Sequence, residues 1–333
     1  MSVTIRDISK ATGLSLATIS KYLNGGNVLP KNREKIEKAI KELDYEVNEI
    51  ARWLATNKTK TVGVIVYDIQ SLFTGTLVSY IGDALRKAGY GLLICDSANS
   101  EEQESNNFRF LIGKKVDGIL VIPVNNGKHH IESTRKAEIP VVFMDRPGDE
   151  SCSCVKIDNA LAAHEAVNYL ADRGHRRIAV IGSYGEYTGL ERCRGFSGAM
   201  IERDLAVDKD YLKIVPKASI AAGYESMKQL LSLRERPTAV FMTNYEITLG
   251  GVMAVNESDV RCPEDISMFG FDNLILSQIV RPKMTMVVQP MREMAEKSVF
   301  LLLEEMKDQP DTEKKIINLP TMIEEGNSII NID

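Results

Sequence analysis

Two groups of residues in this 333-residue chain have the types and spacing to do chemistry. The first is Ser15-Leu16-Ala17-Thr18-Ile19-Ser20-Lys21-Tyr22-Leu23-Asn24. With Ser15 as an N-cap, Ile19 and Leu23, four residues apart, turn inward and leave Leu16, Ala17, Ser20 and Lys21 on other faces. A helix that presents such residues is suited to the floor and walls of a DNA major groove. The second group consists of polar residues at the carboxyl ends of apolar runs: Asp145 after Val141–Met144, Asn244 after Ala239–Thr243, and Asp272-Asn273 after Ser267–Phe271, together with Arg192 at a helix start. Each alone serves equally well as a cap or turn residue. Their shared position is what marks a crevice, where carboxylates, an amide and a guanidinium suit a polyhydroxylated ligand.

The elements that must position these groups follow from periodicity. Thr4 can cap a first helix in which Ile5, Ile8 and Ala11 fall on one face, and Gly13 permits the left-handed turn that ends it. Pro30 opens a third helix, with Ile36, Ala39, Ile40 and Leu43 recurring at three- and four-residue spacing. The bland alternative is a helical hairpin that only packs. Charge separates the two readings: residues 1–60 carry eleven Lys/Arg against seven Asp/Glu, and the remainder thirty against thirty-nine. A basic head on an acidic body suits a polyanion bound at one end. Asn48–Thr56 then has the length of a two-turn helix that needs a partner or DNA to order it. From Val62 onward, apolar runs of strand length alternate with amphipathic segments, which predicts two parallel sheets with helices on both faces.

Composition narrows the function classes. The apolar fraction of 44% is ordinary for a globular protein, no run is long enough to span a bilayer, and no signal-peptide pattern opens the chain, so a cytoplasmic protein with no membrane partner is expected. Cys95, Cys152, Cys154, Cys193 and Cys262 fit no zinc module, and His129, His130, His164 and His175 form no metal-spaced set. Gly182-Ser-Tyr-Gly185-Glu-Tyr-Thr-Gly189 follows a strand but matches neither a dinucleotide fingerprint nor a P-loop. Without a nucleophile elbow or a spaced acid/base pair, the chain is expected to be neither an enzyme nor a cofactor binder.

On these residues the chain resembles the LacI/GalR family of bacterial transcriptional regulators. The likeness runs from Thr4 to about Glu325 and is strongest over Ile5–Gly25; Asn48–Ala55 resembles the family's hinge helix, and Val116-Asp117-Gly118-Ile119 and Phe269-Gly270-Phe271-Asp272-Asn273 resemble recurrent stretches of its regulatory core. The resemblance implies an α/β protein: an all-α helix-turn-helix head over residues 1–46, a hinge helix and linker over 47–61, and a two-lobed, periplasmic-binding-protein-like core of two doubly wound parallel sheets over 62–333. In that core, lobe one is expected to take about 62–158 plus a late return near 284–290, and lobe two about 159–283 and 291–325.

The resemblance further implies a homodimeric repressor on a palindromic operator of double-stranded DNA. Leu16, Ala17 and Lys21 would read bases, while Thr18, Ser20 and Asn24 lie nearer the phosphates. Thr4, Ser15 and Asn48 complete the DNA-facing set, and Leu54, with Ala51 beside it, would wedge into the minor groove. Phe73, Asp145, Arg192, Asn244, Asp272 and Gln289 would contact a small-molecule effector, a sugar or sugar derivative, between the lobes. Effector and operator would then alter each other's affinity reciprocally. The chain also departs from the family pattern: Val47 replaces a proline before the hinge, Ser71-Leu72 an Asn-Pro, Tyr245 a carboxylate, and Ala218 a ligand-stacking aromatic. Two rivals share the core architecture. A periplasmic solute receptor would require a leader in place of the basic head, and a sugar-phosphate enzyme would require a phosphate loop.

Overall fold

A computed structural model describes residues 3–23, 26–45, 58–124, 131–272, 279–307 and 313–332. The chain divides into two compact units, Met1–Thr61 and Val62–Asp333, each described by itself below.

The first unit holds α1 (Ile5–Thr12), α2 (Leu16–Leu23) and α3 (Pro30–Glu42). At the start of α1 the Asp7 carboxylate accepts from the Thr4 amide (2.9 Å) and the Thr4 hydroxyl (2.7 Å), a reciprocal cap whose hydrogen bonds hold the Asp7 carboxyl below its ordinary pKa. Gly13 ends the helix at φ +69°, its amide donating to Ser9. Ser15 caps α2 by accepting the Thr18 amide at 3.2 Å. The three helices close over Ile8, Ile19, Ile36 and Ala39, with Ile5, Leu14, Tyr22, Leu23, Ile40, Leu43 and Tyr45 packed around them. Ala11, expected on the inward face of α1, is exposed, because the narrow contact of so short a helix is already filled by Ile5 and Ile8.

The second unit contains two six-stranded sheets. In chain order its elements are β1 (Thr61–Val66), α4 (Leu72–Lys87), β2 (Gly91–Asp96), α5 (Glu101–Gly113), β3 (Gly118–Val121), α6 (Ile131–Lys136), β4 (Val141–Met144), β5 (Ser153–Ile157), α7 (Asn159–Ala171), β6 (Ile178–Ser183), α8 (Tyr187–Glu202), β7 (Leu212–Val215), α9 (Ile220–Leu231), β8 (Ala239–Met242), α10 (Tyr245–Asn256), β9 (Ser267–Phe271), β10 (Thr285–Val288), α11 (Met291–Glu305), β11 (Ile316–Leu319) and β12 (Met322–Glu324). The strand orders are β11-β5-β4-β3-β1-β2 and β12-β10-β9-β8-β6-β7, so the second lobe repeats the strand order of the first, differing in that β12 runs antiparallel to β10 where β11 runs parallel to β5. Central strands such as β4, β6 and β9 are buried along their whole length, which is why they read as apolar runs without alternation.

The chain crosses between the lobes three times: at Asp158, at Gln289-Pro290 and at Pro320-Thr321. The expected late return to lobe one near 284–290 is therefore corrected. β10 pairs with β9 and β12 in the second sheet, whereas α11 packs on β3, β4, β5 and α4 and β11 pairs with β5. The return thus begins after Gln289 and takes α11 and β11 into lobe one, and only β12 goes back to lobe two. An apolar run carries no mark of the sheet it will join.

The tail also seals the back of lobe two. The Ser328 hydroxyl donates to the Met268 carbonyl (2.6 Å) and accepts the Thr285 amide (2.8 Å), while the Ile330 carbonyl lies 3.1 Å from Nε2 of the buried His175. Gly174, at φ +89°, lets the Ile332 carbonyl approach so closely that a Cβ there would lie 1.7 Å from its oxygen.

Candidate functional site: an exposed helix face and an interlobe crevice

In the first unit, α2 presents Leu16, Ala17 and Lys21 to solvent, with Leu16 at 43% exposure although it is a large apolar residue. An apolar side chain held out on a rigid, capped helix costs solvation and gains nothing within the head. Ser15 and Thr18 are engaged with each other at 2.9 Å as well as in the cap, and Thr4 is engaged with Asp7. Ser20 is half-buried. Asn24, Asn48, Ala51 and Leu54 lie outside the described residues, as does the whole hinge segment.

In the second unit, all six residues expected at the effector line one crevice between the lobes, closed to about 30 Å³ of free space and so well below the ~300–1,000 Å³ usual for ligand pockets. Asp145 and Asp272 hold equivalent places in the two lobes, directly after β4 and β9. Both adopt left-handed backbone (φ +64° and +68°), which aspartate tolerates, and each amide donates at 2.9 Å to the adjacent strand, at Val155 and at Val287. That turn aims both carboxylates into the crevice.

Each aspartate has a guanidinium. Arg146 lies 3.4 Å from Asp145 and 4.2 Å above the Tyr67 ring, and donates to the Pro123 and Val124 carbonyls. Arg192 donates to Asn159 (2.8 Å) and the Thr243 carbonyl (2.7 Å), lies 3.6 Å from Asp272 and stacks 3.6 Å from the Phe271 ring centre. Gln289, on the second interlobe crossing, donates its amide to Asp272. Asn244 caps α10 through the Ile247 amide at 2.9 Å while lining the crevice.

Tyr67, Ser71, Arg146, Glu186, Thr188 and Glu246 line the cavity too and were not expected there. Two of them face partners across the lobes: Arg146 and Glu186 at 3.8 Å, and the Ser71 hydroxyl and Glu246 at 3.5 Å. Burial pushes the Asp145 and Glu246 carboxyls up in pKa, against the pull of nearby Arg192 and, for Asp145, of Arg146. The expectation that Tyr245 strips a carboxylate from lobe two is therefore corrected. Tyr245 is buried in the core, and the next residue, Glu246, supplies the carboxylate instead. Ala218 is not among the lining residues, and the aromatic wall is made by Tyr67 and Phe73 of lobe one.

Against known proteins, residues 4–48 match the family described as bacterial regulatory proteins, lacI family, and residues 167–329 match the periplasmic binding protein-like domain. Catabolite control protein A of Priestia megaterium is 34% identical over 328 residues, covering 97% of this chain and 98% of that protein. The HTH-type transcriptional repressor PurR of Vibrio atlanticus (strain LGP32) is 32% identical, with 98% of each chain covered. Among solved structures, the lac repressor dimer bound to operator and the anti-inducer ONPF superposes with a TM-score of 0.87 over 99% of this chain and 100% of that one; at 22% identity it shows the fold. The complex of the transcriptional regulator CelR with cellobiose gives 0.73 at 26% identity, covering 98% and 99%.

Proposed function

The chain belongs to the LacI family of bacterial regulatory proteins, and from that premise we propose that it represses transcription as a homodimer on a palindromic operator, with affinity set by a small molecule in the interlobe crevice. It is a DNA-binding transcriptional regulator and not an enzyme. The observation that carries the finer reading is the exposed row Leu16, Ala17 and Lys21 on a helix whose cap and core leave it rigid. In a two-fold dimer, two such helices meet successive major grooves and impose the symmetry of the site. Asn24, Asn48, Ala51 and Leu54 are proposed to extend that contact, Leu54 as a minor-groove wedge, and the regulator to work in the cytoplasm with no membrane partner.

The crevice supports the second half of the proposal. Side chains from both lobes and from the second crossing converge on it, so a ligand that binds there favours one lobe arrangement over another. No helix among the described residues is long and apolar enough to cross a membrane.

Selection of bound duplexes from a random library by the intact protein, followed by a salt titration, tests the proposal. The expected result is an inverted-repeat consensus with steep salt dependence, lost on deletion of residues 1–60. Enrichment of no symmetric site, or undiminished binding by the deleted chain, would overturn it.

A further inference from the structure

The charges facing the crevice do not balance. Asp145, Glu186, Glu246 and Asp272 oppose only Arg146 and Arg192 among the described residues. Both guanidiniums are already engaged, Arg146 with Asp145 and Glu186, and Arg192 with Asp272, Asn159 and the Thr243 carbonyl. Glu246 makes no ion pair among the described residues; its carboxylate accepts from its own backbone amide and meets the Ser71 hydroxyl at 3.5 Å. Two further cavity atoms are buried without a hydrogen-bond partner, Asp145 Oδ1 and Gln289 Oε1, and both are acceptors on side chains more than nine-tenths buried. The crevice therefore needs donors and positive charge.

Resting on the regulator reading above, we propose that its effector is a small hydroxylated molecule carrying a primary ammonium, an amino sugar, with the ammonium seated against Glu246 and Asp145. An ammonium offers three donors and no acceptor, which matches orphaned acceptors better than a neutral hydroxyl, itself a donor and an acceptor. It also restores a counter-charge to carboxylates whose ionised forms are disfavoured by burial. The same surplus rejects phosphorylated and carboxylated sugars, since no guanidinium is left to receive an anion.

Calorimetric titration of the intact protein with D-glucosamine, D-galactosamine and D-mannosamine tests this, alongside glucose, galactose and mannose, the N-acetyl derivatives and glucose 6-phosphate, at a pH where the amines are protonated. At least one amino sugar should bind about tenfold or more tighter than its neutral parent and its N-acetyl form, the step that one charge-assisted contact supplies. That gap should close in Glu246→Gln; if this variant fails to fold, Glu186→Gln, which removes one of the surplus charges, should narrow the gap. Tightest binding by the neutral sugar or the phosphate, or no saturation by any of the three amines, would overturn the ligand class. Operator selection with the same preparations keeps the outcomes apart, because a failed amine preference with operator binding intact leaves the regulator reading standing.

Discussion

Replacing Ile19 by alanine should unfold the head while the body stays folded. Ile19 is fully buried at the centre of a core whose other wholly enclosed aliphatic side chains are Ile8 and Ile36. Truncation removes three carbons, about 2.4 kcal/mol at ~0.8 kcal/mol per carbon, and the cavity left behind brings Ile→Ala losses into the range of about 2–5 kcal/mol. At roughly 0.05–0.15 kcal/mol per residue, a three-helix unit of this size has only about 2–6 kcal/mol to lose. Hydrogen exchange on the intact chain reads the effect directly. A loss of 3 kcal/mol raises the opening constant roughly a hundredfold, at about 1.4 kcal/mol per decade. Amides of α1, α2 and α3 should lose that much protection or all of it, while those of β4, β6 and β9 keep theirs. Protection in the head within about tenfold of the parent would refute the claim that these few aliphatics hold it together. Leu16→Ala, on the exposed face, is the control: it should leave head protection unchanged and alter only the choice of DNA sequence.

Other perturbations follow from the body. Arg192→Ala strands Asp272 in a buried site and should cost about 3–5 kcal/mol in denaturant unfolding, with Arg192→Lys recovering part of it, since one ammonium cannot reach Asn159, Thr243 and Asp272 together. Gly174→Ala should destabilise lobe two by about 1–3 kcal/mol from its left-handed backbone and by more from the clash with Ile332, whereas an unchanged melting midpoint would mean the tail can swing clear. Burial lowers the His175 pKa below its ordinary value of 6.5, so the folded state favours the neutral ring. The stability it contributes is present above pH 6.5 and is lost as pH falls toward the depressed folded value, and the wild type should therefore lose more than His175→Asn between pH 7.5 and 5.5. Equal losses in the two proteins would remove His175 from the account. Trp53, outside the described residues, should change its fluorescence on operator binding if the hinge orders on DNA; an unchanged spectrum counts against that ordering.

Much of the architecture is legible in the sequence because both sheets, apart from the antiparallel edge strand β12, are parallel and covered by helices. Val141–Met144 and Ala239–Met242 can be recognised without a partner in view. β5 is harder to see, since Ser153-Cys154-Val155-Lys156-Ile157 alternates polar with apolar and lies beside the late-added β11. The lobe that receives β10 is decided by pairing geometry, which periodicity does not encode. In the crevice, Asp145 and Asp272 stand out because each ends an apolar strand. Arg146, Glu186 and Glu246 do not: a charged residue at a loop or helix start ordinarily faces water, whereas Arg146 is drawn in by Asp145 and the Pro123 and Val124 carbonyls of its own lobe, and Glu186 and Glu246 meet partners on the opposite one.

The placement of β11 and β12 bears on how the molecule is made. The head has all its core residues once the first forty-five positions have been synthesised, and it can close on the ribosome while most of the body is still uncoded chain. Neither lobe has that freedom. The first sheet waits for Ile316–Leu319 and the second for Met322–Glu324, with Ser328 and Ile330 following to seal it. During synthesis there is thus, for a time, a chain whose head is complete while neither lobe of the body is. Loss of residues 314–333, by nonsense mutation or proteolysis, would leave both sheets without β11 and β12 and the three-helix head untouched.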